Sequence, residues 1–215
     1  MGLLVAKLEY SNVSVKKLQV AFLLFCFACV PAYFLSALWL PFPQFVYIIV
    51  VAAVVAQLAG WWLTVKELIR CRLFISYNFS TYGKMLLLLA AIAFSIKLLL
   101  QTGSVHPALS QLSYGFRPIV IGYLHLVLLA VTSIFIIGYI ISFELIPATK
   151  FVMTGVFIFV AGVIVNELLL MAQGVGGLSY TSIPHIDFLL LIAALILLTG
   201  ISIVFIGCLR KPVAG

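Results

Sequence analysis

Six apolar runs, at residues 18–40, 44–65, 85–101, 119–141, 150–172 and 187–208, constrain this chain more than any other feature. A bilayer core about 30 Å thick is crossed by about 20 apolar residues in an α-helix. Five runs meet that length outright; the third is short, with Lys97 and Gln101 near its end. The runs are continuously apolar and do not alternate with period two, so they read as helices and not as β-barrel strands. A soluble domain has roughly a quarter of its residues charged, whereas this 215-residue chain has 8% charged and 66% hydrophobic residues. Its surface-to-volume ratio leaves no way to hide that much apolar side chain in water. A soluble enzyme, a disordered chain and a disulfide scaffold are excluded. The expected fold is all-α: a polytopic transmembrane helix bundle of six spans, forming a single transmembrane domain over residues 1–215.

Basic residues set the expected orientation. With the N-terminus cytoplasmic, the inner side holds Lys7, Lys16, Lys17, Lys66, Arg70, Arg72, Lys84, Lys150, Arg210 and Lys211, ten of the twelve. The outer side holds only Arg117, and Lys97 lies within a span. By the positive-inside rule this predicts N-in, C-in topology. The net charge of +7 therefore reports topology, and no nucleic-acid partner is expected. The inner loop from Lys66 to Lys84 either serves as that topology signal or also touches anionic lipid headgroups. The opening MGLLVAKLEYSNVSVKK does not read as a cleaved signal, because the first long apolar run is a full span. It also lacks the Ser or Thr at position six that the lipidation pattern wants.

The loops divide by chemistry. PFPQF at residues 41–45 predicts a tight outer turn and an antiparallel hairpin of spans 1 and 2. The outer segment TGSVHPALSQLSYGFRP, residues 102–118, is expected to lie at the interface. The third outer loop, QGVGGLSYTSIPHID, is expected to be Gly-rich and flexible. No repeat at three-span spacing supports an inverted-repeat transporter. Cys26 and Cys29, one turn apart in span 1, read as small apolar packing residues. Neither they, Cys71 nor Cys208 face outward on this topology, so no disulfide is expected.

Ionisable residues within the bilayer are costly and usually functional. Lys97, His125 and Glu167 lie four, six and five residues from the outer ends of spans 3, 4 and 5. At 1.5 Å per residue these depths are roughly 6, 9 and 8 Å. Antiparallel spans would bring the three to one level in the outer leaflet, with Arg117 and Asp187 just above and His106 and His185 in the loops over it. The cytoplasmic halves are expected to hold no comparable group. Two readings stay open. One is structural: Lys97 snorkels, Glu167 pairs with Lys97 or Arg117, and His125 bonds a neighbouring helix. The other is a ligand, proton or cofactor site open to the outside, with Lys97, Glu167 and Asp187 as its proton or ion-pair groups. Gly155 and Gly162 predict tight packing of span 5.

His125 sits in FRPIVIGYLHLVLLA, with Gly122 one turn earlier and Tyr123 and Arg117 as polar neighbours. A histidine there, with room for a planar group, suits an axial haem ligand. The surrounding segment LLLQTGSVHPALSQLSYGFRPIVIGYLHLVLLAVTSIF, residues 98–135, resembles bacterial polytopic membrane proteins distantly like the NnrS family and the heme–copper oxidase catalytic subunit. The resemblance implies a redox role with haem b or copper, His125 matching a span histidine. Arg117 and Tyr123 would then contact the cofactor. A second ligand would come from His106, from His185 or from a partner subunit.

Three functions follow as expectations: a haem- or metal-linked redox protein, a proton or small-solute transporter or channel without any cofactor, and a non-catalytic subunit or assembly factor packed against other membrane subunits. The expected setting is the lipid bilayer of a bacterial inner membrane.

Overall fold

The structure, a computed structural model, describes residues 14–37, 43–70, 80–106, 109–111, 115–179, 181 and 183–209. Six helices are long and apolar enough to cross a membrane. They are α1 (Val15–Tyr33), α2 (Gln44–Arg70), α3 (Thr81–Gly103), α4 (Arg117–Ser142), α5 (Lys150–Leu178) and α6 (Ile186–Leu209). No strand occurs among the described residues. The chain is an all-helical integral membrane protein, because in lipid a helix satisfies every backbone donor and acceptor within itself.

The helices differ from the apolar runs in instructive ways. α1 gives way to a 3-10 turn, Phe34–Ala37, short of the expected end at residue 40. Pro31 lies one turn earlier; its ring and missing N–H weaken the helix there. The expected turn at 41–45 falls partly outside the described residues. α3 is not short: it spans 23 residues, because Thr81–Lys84 and Thr102–Gly103 extend the helix beyond its apolar run. α5 runs on through Gly174, Gly176 and Gly177 to Leu178, where a flexible loop was expected. Those glycines are close-packing positions. A Cβ at Gly174 would stand 3.1 Å from Ile119 Cγ1, and one at Gly177 would stand 3.0 Å from Phe116 Cδ1.

Two compact units divide the chain. The first contains residues 1–78 and 98–111. Here α1 and α2 pair antiparallel. Lys17 Nζ lies 2.8 Å from Glu67 Oε1, and Phe25 and Ala21 close on Gly60 farther along. The C-terminal end of α3 joins α2 through Gln101 Nε2, which donates to Gln57 Oε1 at 2.7 Å. Both glutamines are buried. Without water such a pair is an interhelical tie worth about 1 kcal/mol.

The second unit contains residues 79–97 and 112–215. Its core is built from Leu86 and Ala90 of α3, Ile134 of α4, Val156 and Val163 of α5, and Val204 of α6. Small residues bring the backbones together, as helix association in lipid requires. A Cβ at Gly200 would stand 2.5 Å from Phe159 N, and one at Gly155 would stand 2.9 Å from Gly200 O. Gly207 meets Val152, and Gly162 meets Leu197. This seam fixes α6 against α5. Gly138 against Leu86 and Gly83 against Ser142 fix α3 against α4 in the same way.

Candidate functional site

The small-residue contacts set the register of α4 against α5. Phe116 meets Gly177, Ile119 meets Gly174, and Gly122 meets Leu170. Stepping three residues further along each antiparallel helix brings His125 opposite Glu167. His125 is indeed within electrostatic reach of the Glu167 carboxyl. The α3–α4 register, carried on from Gly138 and Leu86 and from Gly83 and Ser142 through the widened turn of α4, places Lys97 level with Leu126 and Val127. That is less than one turn from His125.

His125 is half-buried. Its Nδ1 lies 2.8 Å from the Ile121 carbonyl oxygen on its own helix. A carbonyl only accepts, so Nδ1 carries the proton and Nε2 remains as an acceptor in the neutral ring. Glu167 is half-buried, and its Oε1 is buried with no hydrogen-bond partner. It takes part in no ion pair among the described residues. Next to it Asn166 is 6% exposed, and its Nδ2 also has no partner. A buried polar atom without a partner costs about 1–3 kcal/mol. Orphaned groups are scarce in folded proteins; here the Asn166 amide stands beside the Glu167 carboxyl and interacts with it without completing a well-formed bond.

The remaining candidates stand as follows. Tyr123 is half-buried two residues before His125. Lys97 is half-buried, with Nζ 5.8 Å from the Phe94 ring centroid in a cation–π contact. Arg117 is exposed at the first turn of α4, ahead of Pro118. Asp187 is exposed in the first turn of α6. His185 is exposed just before that helix, in the left-handed region at φ 58°. His106 is exposed and belongs to the first unit. Among the described residues no three His, Cys, Asp or Glu side chains gather as a metal-binding group.

Sequence reasoning missed three features. Glu67 falls beyond the expected end of span 2, yet α2 continues to Arg70 and leaves Glu67 2% exposed. Its Oε1 holds Lys17, with Arg70 at 3.9 Å, and its Oε2 is buried without a partner. The halves expected to be cytoplasmic therefore do contain a buried ionisable group. The legible signal was the spacing Gly60, Thr64, Glu67, Leu68, one face of a continuing helix and all buried. Gln57, the partner of Gln101, stood unremarked in an apolar run. The third is in α4: between Arg117–His125 and Ile134–Ser142 it forms a π-helix, Leu126–Ser133. π turns recur at functional sites, and this one begins at the residue after His125.

No family model, curated protein or solved structure matches this chain.

Proposed function

We propose that this integral membrane protein acts through a polar site on α4 and α5, in which His125 and Glu167 take up and pass protons or a small polar solute. In this reading the termini are cytoplasmic, as the basic residues predict, and the site lies in the outer half of the second unit. The observation that carries it is the pairing of two acceptors. His125 Nε2 and Glu167 Oε1 belong to side chains at one level of α4 and α5, neither makes a well-formed hydrogen bond, and the Asn166 amide is the protein donor beside the carboxyl. A shared donor completes them: a proton, or a solute that brings one. Asn166 and Tyr123 supply neighbouring polar groups, and Lys97 contributes positive charge at the same level. The redox part of the expectation has one supporting observation. A ligating imidazole usually donates its other N–H to a carbonyl or carboxylate, and His125 Nδ1 faces Ile121 O. Haem b or copper would then sit on Nε2. The helices of the second unit carry no further histidine; a second ligand would come from one of the chain's other two histidines or from a partner membrane subunit.

Purified protein in proteoliposomes tests the reading. Proton flux that depends on external pH and is lost in Glu167→Gln, in a colourless sample, supports the proton or solute site. An absorption band in the dithionite-reduced spectrum that His125→Ala removes would replace it with the redox reading.

A further inference from the structure

We infer that the π turn of α4 is a movable one-residue surplus that sets which way His125 points. In an uninterrupted α-helix each residue turns the chain by about 100°. Gly122 and Ile134 would then point about 120° apart, and His125 and Ile134 about 180° apart. Yet Gly122 faces Leu170 of α5, and Ile134 is 1% exposed, in the core shared by α3, α4 and α5. A π turn closes i→i+5 bonds and takes up one residue more than an α turn. Discounting that residue leaves Gly122 about 20° from Ile134, and His125 about 80° from it. The surplus therefore swings His125 from the lipid side toward Glu167.

The two ends of the π turn are held differently. At its inner end the hydroxyls of Thr132 and Ser133 donate to the carbonyls of Val127 and Leu128, five residues back, at 2.9 Å each. The Ile134 N–H likewise reaches Leu129 O, five residues back. At its outer end the Leu126 N–H is shared between Gly122 O and Tyr123 O, so α geometry resumes beside His125. Moving the surplus one step outward, past His125 but not past Gly122, turns the imidazole by about 100°. Gly122 and Ile134 keep their places, while Leu126 and Leu129, which pack against the core, turn with His125. The helix then has two states, His125 toward Glu167 and His125 toward lipid. The meaning of that motion for proton or solute passage rests on the function proposed above, but the motion itself rests on the helix geometry alone.

The test uses the full chain in lipid nanodiscs with 15N-labelled histidine. The three histidines are assigned with His106→Gln and His185→Gln. His125 should give two exchanging sets of resonances, and deletion of Leu128 should collapse them to one. That deletion removes the surplus, so the variant should also keep a thermal midpoint close to that of the intact chain. Leu128 is 60% exposed. Deletion of Ile164, 48% exposed in the continuous helix α5, removes a residue that is not surplus and should lower the midpoint steeply. Equal destabilisation by the two deletions would overturn the claim that α4 carries a surplus residue. A single, unchanged His125 resonance in both the intact chain and the Leu128 deletion would overturn its mobility. Neither result depends on the flux of Glu167→Gln, which tests the site itself.

Discussion

Replacing Gly200 by alanine should loosen the seam that positions α5, and with it Asn166 and Glu167. The added Cβ would stand 2.5 Å from Phe159 N and 2.7 Å from Phe159 Cα. Both are backbone atoms and have no rotamer to give. Carbon contacts settle at about 3.5–4.0 Å, so the two helices must part by about 1 Å. A gap of 0.5–1 Å already forfeits about a quarter to a half of each dispersion contact. Lipid tails do not drive the helices back together, because the bilayer is as apolar as the seam. The expected cost is that of an overpacked core, about 1–3 kcal/mol. For a chain of this size that is a fall in thermal midpoint of roughly 2–12 °C. The assay is thermal unfolding in one fixed detergent, with Gly103→Ala as the control. A Cβ at Gly103 meets nothing within 4 Å, and alanine favours a helix, so that variant should match or slightly exceed the intact chain. If Gly200→Ala unfolds together with Gly103→Ala, the seam is not close-packed and the register built on it fails.

Lys17→Ala leaves Glu67 buried without its nearest cation. Because the Lys17 side chain is 44% exposed, the cost should fall short of a fully buried pair, at about 1–3 kcal/mol. The double variant Lys17→Ala/Glu67→Gln should recover most of it in the same unfolding assay. Gln101→Leu should cost about 1–2 kcal/mol by leaving Gln57 Oε1 unsatisfied, and adding Gln57→Leu should restore stability. In a cysteine-free background, Asp187→Cys should react with an impermeant maleimide added outside intact cells, and Lys150→Cys only after permeabilisation. The reverse pattern would overturn the N-in, C-in reading.

The bundle was legible because each span carries its signal locally. Length and apolarity suffice to place a helix that must satisfy its own backbone in lipid. Helix ends were less legible, since composition marks where the bilayer stops and not where the helix does. α2 continues past the charged pair Lys66 and Glu67 to Arg70, so Glu67 is helical where composition predicts a loop. Gly174, Gly176 and Gly177 misled in the opposite direction. Glycine reads as flexibility until the side chains that fill its missing Cβ, here Ile119 and Phe116, are known. Of the site, His125 and Glu167 stood out as ionisable residues within apolar runs, but their opposition depends on a register set by contacts across α4 and α5. The π turn left no signal in the sequence, because Leu126–Ser133 is as apolar as its neighbours. The hydrogen bonds that reach five residues back, and the faces of Gly122, His125 and Ile134 compared across them, reveal the extra residue.

The proposed site requires His125 and Glu167 to act as one unit, and a double-mutant cycle on proton flux tests that most directly. Glu167→Gln, His125→Gln and the double variant are reconstituted at equal density, with folding verified by circular dichroism. Groups that work as a unit are non-additive, so the double variant should lose no more flux than the more damaging single one. Losses that multiply, or flux that survives in both single variants, would contradict a shared site.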